Sequence, residues 1–292
     1  AMTARAVGES DTPSVLAVVL DCNPLEWATR TDEDLPALLE QFLIFANAFW
    51  MLSSANRLLV IGAHPAAARQ LWPETPERAA EPAPPHRLRH ALARGVDELL
   101  ALDATSPPTD GRPLLAPALS LATLRIQRAR REQPLLQPRV LVLHASADEP
   151  SEHLRLVDLA FANQKLEILS DSVLLHPRPP SLALQQLSHL SGGLHLHADA
   201  QATAALAVYL IAAVLPDQFT RKYLQPSPQG KLETRGLCML TRKHVDVGWA
   251  CSVCLAVFST HTLRACAVCG TRFPLPKPPP GLKPLMKKRP AP

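Results

Sequence analysis

No Gly-x-Gly-x-x-Gly follows a strand pattern anywhere in these 292 residues, which excludes the common dinucleotide and phosphate loops. Serines, histidines and acids never assemble into a nucleophile motif such as Gly-x-Ser-x-Gly, so acyl-transfer chemistry has no carrier. Long apolar runs are also missing. The longest, 204–215, has 12 residues. It suits a buried core helix and falls short of the about 20 residues that cross a bilayer. The first, Val15 to Leu20, is too short for a signal-peptide core. A soluble protein without a membrane partner is expected. Aromatics are scarce, at 4% of the chain. A stacking platform for single strands therefore has few residues to draw on.

Charge is nearly balanced once it is divided along the chain. The net charge is +4, but six cations (Arg272, Lys277, Lys283, Lys287, Lys288, Arg289) and no acid lie from Thr271 onward. The rest of the chain carries −2, so the body lacks the basic footprint of a nucleic-acid binder. Direct nucleic-acid contact is expected only through that basic tail. Apolar residues make up 47%, enough for a substantial core. Proline is over-represented, at 30 residues, and clusters in 65–85 and from Pro274 onward. Those segments read as a surface loop and an extended, disordered tail.

What is present reads as an α/β domain. Val15-Leu-Ala-Val-Val-Leu20 is a β-branched apolar run, the mark of a strand buried on both faces. Leu58 to Gly62, Val140 to Leu143, Leu166 to Leu175 and Leu194 to Leu196 read as further strands. A sixth, short edge strand fits near residues 64–72. Leu35, Leu38, Leu39, Phe42, Ala46, Phe49 and Trp50 recur at helical spacing, behind a capping cluster at Thr31 to Asp34 and Pro36. Helices are also expected at 88–100, 115–126, 151–164 (capped by Ser151), 182–190 and 198–215. Alternating strands and helices imply a doubly wound, mostly parallel sheet covered on both faces.

Six cysteines point to metal in a reducing compartment. Cys22 and Cys238 are isolated and read as packed thiols. Cys251-Ser-Val-Cys254 and Cys266-Ala-Val-Cys269 form two CxxC knuckles separated by eleven residues. Each knuckle spaces two thiolates for one tetrahedral ion, and two make a closed structural zinc site. Cys251, Cys254, Cys266 and Cys269 are the expected ligands of one zinc ion. His261, His244 and Cys238 are substitutes of lower rank. A module this small needs the metal to fold. Its few aromatics beyond Trp249 (Phe258, Phe273) speak against a zinc-ribbon nucleic-acid binder.

One ordered set of segments resembles a known family. It comprises Leu20-Asp-Cys-Asn-Pro-Leu-Glu-Trp27, Phe161-Ala-Asn-Gln-Lys165, Pro216-Asp-Gln218, Gly248-Trp-Ala-Cys-Ser-Val-Cys-Leu255, the second CxxC and a lysine-rich end. Together they resemble the smaller of the two von Willebrand factor A-type core subunits of general transcription and DNA-repair factor IIH. The resemblance runs from about Val15 to Cys269. It implies a von Willebrand factor A-type (Rossmann-like) fold, nuclear location, and a scaffold role in transcription initiation and nucleotide excision repair. The implied partners are the larger von Willebrand-type subunit and other core subunits.

Von Willebrand-type domains often bind a divalent cation through Asp-x-Ser-x-Ser and a distant Thr and Asp, oxygen ligands that suit magnesium. Here Asp21 matches the first position, Asn23 and Leu25 replace the serines, and Thr109 and Asp148 stand in for the distant pair. Leucine offers no donor atom, so the site is expected to be degenerate and empty, with Asp21 capping backbone amides instead. Trp27, Phe49 and Trp50 read as core or interface anchors, and His195 and His197 as edge or core histidines. Four segments are expected: the α/β domain over 14–218, a linker at 219–236, the C4 module at 237–273 and the tail at 274–292. A non-catalytic interaction subunit is the function expected. A metal-dependent ligand-binding domain or a nucleic-acid-binding ribbon is the alternative, and an enzyme would have only Asp21 and Asp148 at its strand ends.

Overall fold

The computed structural model describes residues 12–29, 35–73, 85–105, 114–147, 152–175, 181–199, 203–224, 236–241 and 243–273. The chain divides into two compact units, Ala1–Thr234 and Arg235–Pro292.

In the first unit the strands are β1 (Ser14–Asp21), β2 (Arg57–Ala63), β3 (Ala68–Trp72), β4 (Gln137–His144), β5 (Leu169–Leu175) and β6 (His195–Ala198). Between and after them run the helices α1 (Pro24–Ala28), α2 (Leu35–Leu52), α3 (Pro85–Thr105), α4 (Leu115–Glu132), α5 (His153–Lys165), α6 (Leu182–Ser191) and α7 (Leu206–Ala213). The strand order is β3-β2-β1-β4-β5-β6. All neighbours pair in parallel except β3, which lies antiparallel on β2 as the edge strand. This is the doubly wound order that parallel crossovers generate. It is the doubly wound, mostly parallel α/β sheet expected from the sequence.

Every residue of β1 is buried. Its alternate side chains serve two cores. Leu16, Val18 and Leu20 pack with α2, α3 and α7, through Phe42, Phe45, Leu92, Leu99 and Leu210. Val15, Ala17 and Val19 pack with α4, α5 and α6, through Leu119, Ile126, Ala160 and Leu184. A central strand covered on both faces has to read as an unbroken apolar run, and β1 does. Helix α2 is long and apolar enough to span a bilayer by length and composition alone, with a mean hydropathy of 1.5. Its Leu38, Phe42, Phe45, Ala46 and Phe49 stripe is instead buried in the first core.

Strand β3 occupies 68–72, where the short edge strand was expected, within a stretch otherwise read as loop. Three local features differ from the expectation. Helix α1 escaped the periodicity because it is a five-residue turn, started by the Asn23 side chain accepting from the Leu25 amide at 3.2 Å. The last helix is shorter than 198–215. Ala198 belongs to β6, the Thr203 amide and hydroxyl both donate to the Asp199 carbonyl at 2.8 Å, and Pro216 forbids continuation. Strand β5 starts only at Leu169, after Glu167 turns the chain with a φ of 56°. The Thr31 to Asp34 and Ser151 caps lie outside the described residues.

The second unit holds two small antiparallel pairs, β7 (Gly236–Leu237) with β8 (His244–Val245) and β9 (Trp249–Ala250) with β10 (Val257–Phe258). Cys238 and Phe258 are buried, and the chain then folds around the two CxxC segments.

Candidate metal centre

The two knuckles are built alike. In the first, the Leu255 amide donates to the Cys251 carbonyl at 2.9 Å; in the second, the Gly270 amide donates to the Cys266 carbonyl at 3.0 Å. Each turn ends in the left-handed region, with φ of 59° at Leu255 and 73° at Gly270. Glycine tolerates that region; leucine pays about 1 kcal/mol to sit there. Within the second knuckle the Val268 and Cys269 amides point at the Cys266 sulfur, at 3.4 and 3.5 Å. Such bonds satisfy a thiolate's lone pairs and fix its direction.

The turns bring the four sulfurs together. Cys251, Cys254, Cys266 and Cys269 have their Sγ atoms within 4.8 Å of one another, with Cys251 to Cys269 at 3.7 Å and Cys254 to Cys266 at 3.5 Å. Sulfurs about 2.3 Å from a tetrahedral ion stand roughly 3.8 Å apart, so the cage is the size of one metal ion. Three of the four cysteines are buried and Cys269 is half-buried. Burial pushes the Cys254 thiol up to about 12, while the Thr271 hydroxyl and amide draw Cys269 down to about 6. A divalent ion would hold all four as thiolates. Among the described residues no other group of three or more His, Cys, Asp or Glu is arranged to hold a metal. Cys238 stands outside the cage, with its sulfur accepting from the Ser259 amide at 3.3 Å. The His261 ring lies tilted at 48° to that of Trp249, with centroids 5.3 Å apart.

The end of β1 is organised differently. Asp21 is buried, and its carboxylate is surrounded by protein donors. The Asn23 amide reaches Oδ1 at 3.1 Å. The Ala145 and Ser146 amides reach Oδ2 at 3.1 and 2.8 Å, and His144 Nδ1 lies 3.0 Å from the same oxygen. Burial alone would push this carboxyl up; the His144 and Ser146 contacts outweigh it and hold Asp21 below its ordinary 3.8. Asn23 is taken up as well, since its side-chain amide donates to Ser146 Oγ at 3.1 Å. Leu25 is exposed. Thr109 and Asp148 lie outside the described residues. Trp27 locks the same corner, its indole N–H donating to the Asp21 carbonyl at 2.8 Å.

Sequence reasoning passed over several buried polar groups. Glu152 takes the place expected of Ser151, but its carboxylate caps another helix, accepting from the Leu115 and Ala116 amides of α4 at 2.9 and 3.2 Å. Asn163, from the Phe161-Ala-Asn-Gln-Lys segment, joins three elements. It accepts from Thr123 Oγ1 at 3.0 Å and donates to Ser170 Oγ at 3.1 Å. His195 bonds Ser172 Oγ at 2.7 Å across β6 and β5, while His197 is exposed. Cys22 is fully buried, which pushes its thiol up and leaves it unreactive. Asp171, a carboxylate between Arg139 and Arg221, was also missed.

The profile of the family described as Transcription factor Tfb4 matches residues 13–270, from β1 to the end of the second knuckle. The chain belongs to the Tfb4 family. Among its relatives, the general transcription and DNA repair factor IIH subunit TFB4 of Arabidopsis thaliana is 32% identical over 277 residues, covering 90% of each chain. Its counterpart tfb4 of Schizosaccharomyces pombe is 27% identical over 273 residues, again 90% of each. The crystal structure of the TFIIH p34 N-terminal domain shares the fold, with a TM-score of 0.61 at 23% identity. It covers 69% of this chain and 98% of that one.

Proposed function

We propose that this chain is the smaller of the two von Willebrand factor A-type subunits of the factor IIH core, and that it is a scaffold and not an enzyme. It acts in the nucleus, in RNA polymerase II transcription initiation and nucleotide excision repair, through contacts with the larger von Willebrand-type subunit and other core subunits. The observation that carries this reading is the Tfb4 family match over residues 13–270, with relatives named as factor IIH subunits aligned along 90% of both chains.

The chemistry of the sites supports a scaffold. The four-cysteine cage has no open coordination position, so an ion there holds structure and leaves no room for substrate. Zinc is the ion that a four-sulfur tetrahedral cage favours. Cys251, Cys254, Cys266 and Cys269 are its ligands in this proposal. At Asp21, protein donors use the carboxylate that a cation would need, so the domain meets its partners without a bridging metal. We assign the α/β domain to 14–218, the linker to 219–236, the zinc module to 237–273 and the basic tail to 274–292.

A pull-down of the native complex with the full chain as bait tests the assignment. Factor IIH core subunits should co-purify in near-stoichiometric amounts. Recovery of the chain free of them, from cells where factor IIH is intact, would refute it.

A further inference from the structure

Two charged residues sit buried within the sheet, Arg139 in β4 and Asp171 in β5. Both lie on the face whose next side chains, Leu141 and Val173, join the core under α2 and α7. Arg139 is 3% exposed and Asp171 is fully buried. The Asp171 carboxylate accepts from the Leu194 amide at 2.9 Å, and Arg139 Nη2 stands 3.7 Å from it. Its main partner comes from outside the sheet. Arg221 grips it with a two-pronged fork, Nη1 to Oδ1 at 2.8 Å and Nη2 to Oδ2 at 2.7 Å. Forked guanidinium–carboxylate pairs are the strong and directional kind of ion pair.

Arg221 belongs to the chain that leaves α7 towards the second unit. It lies in a single 3-10 turn, Thr220–Lys222, which Asp217 starts by accepting from the Thr220 amide at 2.7 Å. Not one residue of 217–224 is buried as a whole. The Phe219 and Tyr223 rings meet at 5.2 Å between centroids, Tyr223 is 74% exposed, and neither joins the described core cluster. Among the described residues, the turn is tied to the unit through Arg221, by the fork on Asp171 and by a bond from Nη2 to the Val214 carbonyl at 2.9 Å. Arg139 holds the preceding stretch, donating to the carbonyls of Val214, Leu215 and Pro216.

The three charges are not equivalent. Without Arg221, Asp171 keeps Arg139 and the Leu194 amide, and Arg139 keeps its carbonyls: a balanced pair remains. Without Asp171, two arginines are left side by side at a buried site, with Asp217 the remaining carboxylate acting on Arg139. Arg139 is already drawn down to about 10, by burial first and against the attraction of Asp171. We propose that Arg221 and Asp171 form a latch that fixes the start of the connector to the α/β unit and that opens without unfolding it. The latch fixes where the chain leaves the α/β unit, and Asp217 supplies its turn.

The test compares full-length chain with Arg221→Gln and Asp171→Asn, read by chymotryptic cleavage after Tyr223, hydrogen exchange over 217–224, and melting of the α/β unit. Arg221→Gln should speed cleavage about tenfold or more and strip protection from 217–224, with the melting temperature within about 3 °C of the parent. Asp171→Asn should release the same segment and also lower melting by about 6 °C or more. Unchanged cleavage and exchange in Arg221→Gln overturns the latch. So does a fall in its melting as deep as that of Asp171→Asn, which would make the pair an ordinary piece of the core.

Discussion

Replacing Asp21 by alanine separates a structural carboxylate from a cation ligand. In the parent, one buried side chain satisfies the amides of Asn23, Ala145 and Ser146 and contacts His144. Alanine leaves those donors buried without an acceptor, at about 1 to 3 kcal/mol for each that water does not reach. Partial relaxation and water entry reduce the sum, so a loss of about 3 to 5 kcal/mol is expected. For a unit of this size that lowers the melting temperature by roughly 6 to 20 °C. The assay is thermal and urea unfolding of parent and variant by circular dichroism, each with and without millimolar magnesium or manganese. Neither ion should move the parent, because a ligand specific to the folded state must raise its melting point. Acid gives a second reading. The Asp21 carboxyl lies below 3.8 in the folded protein. Its stabilisation is therefore complete above the unfolded value and disappears as pH falls through the folded one. The gap between parent and variant should narrow, by the part linked to ionisation, as the pH drops below about 4. A variant that melts within about 2 °C of the parent would refute the structural role. A saturable magnesium rise in the parent, lost in the variant, would restore the cation site.

Three other outcomes are expected. Metal analysis should find about one zinc per chain, and Cys254→Ala should lose it and unfold 237–273 while the α/β unit melts as before; under half an equivalent in folded protein contradicts the site. Gly193→Ala should cost about 3 kcal/mol or more in urea unfolding, since its Cβ would lie 2.0 Å from the Ser170 carbonyl oxygen and 2.5 Å from its carbon, backbone that has to move; a loss below about 1 kcal/mol would show that the turn yields easily. Leu255→Gly should leave zinc affinity within about threefold of the parent, because relief at a φ of 59° offsets glycine's entropy and the side chain is 59% exposed; a tenfold loss would mean that Leu255 packs against something.

The features legible in the sequence are those fixed by local spacing. The β1 run is apolar on both alternations because both faces are buried, and α2 shows its stripe at three- and four-residue steps. The two CxxC segments announce themselves because each knuckle is made within a few residues. Pairings across the chain do not. The Asp21 partners Ala145 and Ser146 lie 124 and 125 residues away, and Arg221 is 50 residues from Asp171. Arg139 and Asp171 are opposite charges in two neighbouring strands, but nothing in either strand names Arg221. Likewise nothing in the sequence marks Glu152 as the cap of α4, whose first residues lie 36 and 37 positions earlier.

The central claim is that this chain works by assembly, and co-expression tests it most directly. The full chain, a truncation ending near Gln218 and a fragment starting near Lys231 are each expressed with the larger von Willebrand-type subunit and purified through that partner. The full chain should co-purify one to one and remain monodisperse, and each half should be retained more weakly. A permanent contact of this kind should bury more than about 2,000 Å². If neither half is retained and the full chain stays a monodisperse monomer beside its proposed partner, the scaffold account is wrong.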